Sequence, residues 1–153
     1  MTSSAHLNGL FREKRLTLGS VESFTGGLFA ESVTAVPGAS KFYKGGFVTY
    51  ATEEKVRLLG IPQEDVDKYG VVSKEIAIQM AKRGQEKLAV DYCVSFTGKA
   101  GPEAMENKPV GLIYIGLASP DGVEVHEYHL NGERKEIQNS AIFLALALIE
   151  KSL

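Results

Sequence analysis

The stretch SFTGGLFAESVTAVPGASKFYKGGFVTYATEEK, from Ser23 to Lys55, decides the fold of this chain. Residues 16–23, LTLGSVES, predict a buried strand where this stretch begins. Thr25 then stands where a helix cap is expected, and Pro37 followed by glycine ends that helix. The segment GFVTY, residues 46–50, is typical of a second, largely buried strand. A strand, a helix and a strand in this order favour parallel pairing in one sheet.

The segments on either side extend the same alternation. Apolar spacing predicts a helix before the first strand and further helices that begin near Thr52, Ser73 and Gly132. Residues 91–96 predict another buried strand, and residues 110–119 and 123–130 predict a hairpin. The order predicts a single α/β domain over residues 1–153, a three-layer α/β/α arrangement with a mixed, mostly parallel sheet.

Composition narrows the class of protein. The 153 residues, 44% of them hydrophobic, suit one compact domain with a substantial core. The 17 basic and 19 acidic residues give a net charge of −2 without runs of like charge, which argues against nucleic-acid and polybasic membrane binding. No segment has the length and hydropathy of a signal peptide or a membrane span, so we expect a cytoplasmic protein. Its small size and apolar edge strands predict a homo-oligomer.

Metal and cysteine chemistry are not expected. Cys93 is the single cysteine, which rules out an intrachain disulfide and a multi-cysteine metal site. His126 and His129 are three apart on a predicted strand, so their side chains should lie on opposite faces of the sheet. We therefore expect no metal site, and we interpret Cys93 as an inert core thiol.

Two glycine-containing turns follow predicted strands. In SFTGG, residues 23–27, free amides at a helix start could bind an anion, or the glycines could serve only tight packing. The residues alone favour neither reading. The loop TGKAGP, residues 97–102, could likewise bind an oxyanion or phosphate at a strand's carboxyl end, or simply form a sharp turn.

Three polar residues suggest acyl chemistry. Ser40, Tyr50 and Lys55 could converge on one edge of the sheet as a nucleophile, a neighbour and a base. The spacing also allows a turn serine, a core tyrosine and a solvated lysine. That second interpretation is the commoner one for such a trio.

Six ordered sequence blocks carry a resemblance to a known family. Taken together, they resemble the CinA carboxy-terminal domain family, the competence-damage-inducible proteins, whose active members are nicotinamide-nucleotide amidases. The resemblance covers nearly the whole chain. Its carriers are ESFTGG (22–27), VPGAS (36–40), GGFVTYATEEKVRLLGI (45–61), GVVS (70–73), TGKAGP (97–102) and KPVGLIYIGLA (108–118).

The resemblance implies a reaction and roles for particular residues. The reaction is hydrolysis of the carboxamide of nicotinamide mononucleotide to the nicotinate nucleotide and ammonia, with no metal or organic cofactor. Ser40 resembles the nucleophile and Lys55 its general base, with Tyr50 positioning the pair. Thr97 and Gly98 would contact the substrate or the developing oxyanion.

The same resemblance assigns residues that would bind the phosphate or the ribose of the substrate. Ser23, Thr25, Gly26 and Gly27 would contact one of these groups. Arg134 matches the first of two arginines that family members usually carry near the last helix.

Departures from the family pattern keep other functions open. This chain has Phe24 where a cysteine is common, Lys99 where an apolar residue is common, and Gln138 in place of the second arginine. The loop at Glu103-Ala104-Met105 is one residue shorter than usual. The alternatives are a non-catalytic nucleotide-binding or interaction module and an amidase for another small amide.

Overall fold

Strands and helices alternate along the chain in a computed structural model that describes residues 2–102 and 108–153. The elements, in chain order, are α1 (Ser4–Lys14), β1 (Leu18–Glu22), α2 (Leu28–Thr34), a 3-10 helix (Ala39–Lys41), β2 (Tyr43–Val48), α3 (Thr52–Leu59), α4 (Gln63–Tyr69), α5 (Lys74–Leu88), β3 (Tyr92–Gly98), β4 (Leu112–Ser119), β5 (Gly122–His129) and α6 (Arg134–Ser152). The predicted order of elements is confirmed.

The strands form one mixed sheet in the order β2-β1-β3-β4-β5. β1 pairs in parallel with β2 and with β3, whereas β3 with β4 and β4 with β5 are antiparallel. Parallel and antiparallel pairings are thus equal in number among the described strands. Because β1, β2 and β3 run the same way, their carboxyl ends meet at one edge of the sheet.

Helices cover both faces of the sheet, as the three-layer prediction requires. On one face, α1, α2 and α6 bury residues such as Phe11, Phe29 and Ile137. On the other face, α3, α4 and α5 bury residues such as Leu59 and Met80. Each helix therefore shields an apolar face of the sheet from water. No helix in the described residues is both long enough and apolar enough to span a membrane.

The start of α2 differs from the sequence prediction. Ser3 and Ser73 cap α1 and α5 by accepting hydrogen bonds from the amides of His6 and Ile76. Thr25 makes no such cap, because the chain turns through Gly27 at φ 103° and the helix begins only at Leu28. This helix is capped instead by Glu22 of β1, which lies next to the candidate site.

The packing of α5 on the sheet gives a test of the fold. A β-carbon on Gly84 would lie 2.5 Å from Val21 Cγ2 and 2.8 Å from Cys93 Sγ. We expect Gly84→Ala to lower the free energy of unfolding by about 1–3 kcal/mol through overpacking, measured by urea denaturation. Gly9→Ala in α1 is the matched control, since nothing lies within 4 Å of its added β-carbon. Equal stability of the two variants would contradict this packing.

Candidate active site

A pocket opens at the carboxyl edge of the three parallel strands. From β1 the chain passes through α2 to β2 on one side, and from β2 it crosses to β3 on the other side of β1. Ligands of open α/β sheets bind where strand connections diverge in this way. Residues that follow all three strands line the pocket, among them Ser23, Tyr50 and Ala100.

A lysine and a serine meet inside this pocket. Lys55 lies in the first turn of α3, and only 1% of its surface is exposed. Its Nζ donates to Ser23 Oγ at 3.0 Å and to the Thr49 carbonyl oxygen at 2.7 Å. Ser23 comes directly after β1, and Thr49 directly after β2. Two neighbouring strand ends therefore place a hydroxyl and an amine in direct contact.

Ser40 lies elsewhere, and the expected Ser40–Lys55 pair does not form. Ser40 is exposed on the 3-10 helix that precedes β2, whereas Lys55 follows that strand. The six residues of β2 place a span of roughly 16 Å between the two edges, at about 3.3 Å per residue. The correction has a simple physical reason: β2 lies between them, so Ser40 is at the amino edge of the sheet.

An internal carboxylate occupies the start of α2. Glu22, the last residue of β1, is 1% exposed and accepts hydrogen bonds from the amides of Phe29 at 2.9 Å and Ala30 at 3.1 Å. These are amides that a phosphate would need at this helix end. These two amides of α2 are therefore already occupied by a carboxylate, and the helix has no threonine cap. Of the residues expected to bind substrate there, Ser23 lines the pocket, whereas Thr25, Gly26 and Gly27 are not among its lining residues.

Replacing Glu22 should weaken the fold beneath the site. A glutamine there keeps one acceptor oxygen but turns an N–H donor towards one of the two amides. We expect Glu22→Gln to lower the free energy of unfolding by about 1–3 kcal/mol, the usual cost of a buried unsatisfied donor. Glu31→Gln, on the exposed side of the same helix, is the control for thermal and urea unfolding. A Glu22 variant as stable as the Glu31 variant would contradict the capping role.

Thr97 and Gly98 line the pocket at the end of β3. The Thr97 hydroxyl donates to the Val71 carbonyl oxygen at 2.6 Å. Its proton is therefore in use, and the hydroxyl can accept a hydrogen bond from a ligand but not donate one to an oxyanion. A β-carbon on Gly98 would lie 2.5 Å from Ile113 Cγ2, so the pairing with β4 requires glycine here.

Arg134 and Tyr50 lie together at the pocket mouth. Arg134 Nε donates to the Gly101 carbonyl oxygen at 2.9 Å, and Nη1 lies 3.5 Å from the Tyr50 hydroxyl oxygen. Tyr50 is 59% exposed rather than a core residue. One turn along α6, Gln138 donates to the Phe24 carbonyl oxygen at 2.8 Å. The amide at position 138 thus anchors the turn after Ser23, a structural contact rather than a ligand contact.

Known proteins share the sequence pattern and the fold of this chain. The model of the CinA C-terminal domain matches residues 2–153. The chain belongs to this family. Putative competence-damage inducible proteins of Streptococcus pneumoniae and Bacillus subtilis are each 42% identical to it, over 90% and 93% of this chain. Those alignments cover 33% and 34% of the two relatives, so the chain spans about a third of their length.

Solved CinA structures have the same architecture. A competence/damage inducible protein from Agrobacterium tumefaciens is 32% identical with a TM-score of 0.93, covering 97% of this chain and 92% of that one. A CinA superfamily protein from Escherichia coli is 28% identical with a TM-score of 0.94, covering 98% and 88%. The resemblance stated from the sequence is therefore confirmed.

Other candidate residues of this CinA domain lie outside the pocket. Cys93 is a buried core residue, and burial raises the pKa of its thiol well above the usual range. His126 and His129 pair with the carboxylates of Glu124 at 3.2 Å and Glu127 at 2.8 Å on the outer strand β5. Within residues 2–102 and 108–153, no cluster of three His, Cys, Asp or Glu side chains could hold a metal. The short loop at residues 103–105 lies outside the described residues.

Sequence reasoning missed part of the CinA pocket. Phe24, Val72 and Lys99 also line it, although none was assigned to the site. Ser23 was assigned to substrate binding and not to the pair with Lys55. A usable signal existed, since Ser23 ends a predicted strand whereas Ser40 precedes one, and in parallel sheets functional residues lie at the carboxyl ends of the strands.

Proposed function

We propose that this CinA domain hydrolyses the carboxamide of nicotinamide mononucleotide, giving nicotinate mononucleotide and ammonia, with Ser23 as nucleophile and Lys55 as base. The observation that carries the proposal is the 3.0 Å contact between Lys55 Nζ and Ser23 Oγ inside a pocket. A serine hydroxyl attacks an amide only when a neighbouring base takes its proton. Lys55 is the group in contact with it.

The surroundings of Lys55 suit a base. A lysine accepts a proton only as the neutral amine, and removal from water favours the neutral form of an ammonium. Lys55 is nearly fully buried, and one of its N–H groups is directed to the Thr49 carbonyl oxygen. A neutral amine held in this way can turn its lone pair towards the Ser23 hydroxyl. The Thr49 carbonyl is thus an orienting group for the base.

The steps use the same pair twice. Ser23 Oγ forms a bond to the amide carbon while its proton passes to Lys55, which then gives that proton to the amide nitrogen as the C–N bond breaks and ammonia leaves. Water attacks the resulting acyl ester, and its proton passes to Lys55 and then to Ser23 Oγ as the bond between Oγ and the acyl carbon breaks. The products are the nicotinate nucleotide and a regenerated enzyme.

The oxyanion of the tetrahedral intermediate needs a donor close to the nucleophile. The amide of Phe24 follows Ser23 directly and donates no hydrogen bond to another described residue. We assign it to the oxyanion, in place of the Thr97 hydroxyl, whose proton is already donated to Val71. One such donor lowers a barrier by roughly 3 kcal/mol in other enzymes.

The pocket also suits the rest of the nucleotide. Phe24, Val72 and Ala100 give it apolar walls against which an aromatic ring can pack. Arg134, exposed at the mouth, can reach a phosphate outside the reacting end. The Ser23–Lys55 pair thus suits the carboxamide of nicotinamide mononucleotide, and the positive charge of Arg134 at the mouth suits its phosphate.

The test is a direct assay of turnover. Purified protein is incubated with nicotinamide mononucleotide, and ammonia and nicotinate mononucleotide are measured together. We expect equal amounts of both products. Stabilisation against heat by the nucleotide without any product would instead indicate a binding module. Hydrolysis of other small amides, with the mononucleotide untouched, would retain the chemistry and reject the substrate.

A further inference from the structure

Three residues with cationic side chains line the pocket: Lys55, Lys99 and Arg134. None of its lining residues in the described part of the chain is an aspartate or a glutamate. Lys55 is assigned to the chemistry, which leaves two cations for binding. We propose that Lys99 is a specificity-determining residue that binds, together with Arg134, an anionic phosphate group of the substrate. The inference rests on the proposed function.

Lys99 is held firmly where β3 ends. Its amide donates to the Leu112 carbonyl oxygen at 2.9 Å, and its own carbonyl accepts from the Gly111 amide at 2.7 Å. The preceding residue, Gly98, packs against Ile113 so closely that a β-carbon would not fit. The backbone of Lys99 is therefore fixed relative to the wall of the pocket, and its side chain extends from a defined position.

Burial makes the charge of Lys99 important. The residue is only 3% exposed, and an ammonium removed from water is costly unless negative charge or acceptors surround it. An ammonium has three donor protons, so it can keep a contact within the protein and still donate to a ligand. A phosphate that enters the pocket would supply negative charge beside Lys99.

Lys99 and Arg134 are linked through one loop. Two residues beyond Lys99, the Gly101 carbonyl oxygen accepts a hydrogen bond from Arg134 Nε. Lys99 and the carbonyl group that Arg134 contacts therefore belong to the same short segment, residues 99–101. A phosphate monoester carries close to two negative charges at neutral pH. Its charge matches a pair of cations better than a single one.

The experiment compares two substrates that differ only in the phosphate. We expect Lys99→Met to lower kcat/KM for nicotinamide mononucleotide by roughly 10- to 100-fold, the usual effect of losing a hydrogen bond to a charged group. Activity on nicotinamide riboside, which has no phosphate, should stay within about twofold of the starting protein. Lys99→Arg should recover most of the lost discrimination. Lys135→Met, an exposed position on α6 outside the pocket lining, controls for net charge.

A binding measurement separates this inference from the proposed function. Calorimetry with nicotinate mononucleotide needs no turnover, and the Lys99→Met protein should bind it at least roughly tenfold more weakly than the Lys135→Met protein does. Weakened binding without any amidase activity would keep the inference and reject the reaction. Equal losses on both substrates, or unchanged binding of the nucleotide, would overturn the role of Lys99.

Discussion

Ser23→Ala is expected to lower kcat/KM for amide hydrolysis by roughly ten-thousand-fold or more, as removal of the nucleophile does in other serine hydrolases. Ser40→Ala, the same chemical change at an exposed residue, should leave kcat/KM within about twofold. The difference follows from position, since only Ser23 contacts Lys55. The measurement is ammonia release by both variants over a range of nucleotide concentrations.

The stability of the Ser23→Ala variant shows whether a loss of activity is caused by unfolding. Ser23 is half-buried, and its alanine variant should unfold within about 1 kcal/mol of the starting protein, which urea denaturation checks. Lost activity in a stable Ser23 variant then reports chemistry. An active Ser23→Ala protein beside an inactive Ser40→Ala protein would restore Ser40 as the nucleophile and contradict the Ser23–Lys55 pair.

Lys55→Met is the second change with a very large expected effect. Methionine approximates the length of the lysine stem but cannot accept a proton, so we expect a loss in kcat/KM of about 10³- to 10⁴-fold. The exposed Lys44→Met variant on β2 is the control and should be fully active. Substrate binding should survive in Lys55→Met, because Lys99 and Arg134 remain.

Chemical rescue distinguishes a base from a structural residue at position 55. Lys55→Ala leaves space where the side chain was, and a small primary amine added to the buffer can occupy it. We expect rescue of the rate that depends on the concentration of the unprotonated amine. A Lys55→Ala protein that folds and still hydrolyses the substrate at the original rate would reject Lys55 as the base.

Most of the fold could be predicted from the order of apolar segments and turn residues. The helical spacing of apolar residues placed α5, and the turn Pro120-Asp121-Gly122 between two strand-like segments placed the late hairpin. The cap of α2 could not be predicted in this way. It is the Glu22 carboxylate, which comes from a strand that becomes adjacent to the helix start only after the chain folds. A contact between residues that become neighbours only on folding leaves no pattern in the local sequence.

The candidate site was predictable as a region but not as a pair. Lys55, Tyr50, Thr97 and Arg134 were identified from the sequence, and the structure brings all four to one pocket. Ser40 was assigned as the nucleophile by the family resemblance, yet β2 separates it from Lys55. Ser23 is 32 residues from Lys55, and only the parallel pairing of β1 with β2 brings their two ends together.

Covalent labelling tests the role of Ser23 as nucleophile most directly. Pyridine-3-sulfonyl fluoride resembles the nicotinamide ring, and an activated serine attacks its sulfur atom and displaces fluoride, leaving a stable sulfonyl ester. Peptide mass mapping then locates the label. We predict one label per chain, at Ser23, in step with loss of amidase activity and absent from the Lys55→Met protein. A label at Ser40, or full activity in protein labelled at Ser23, would contradict that role.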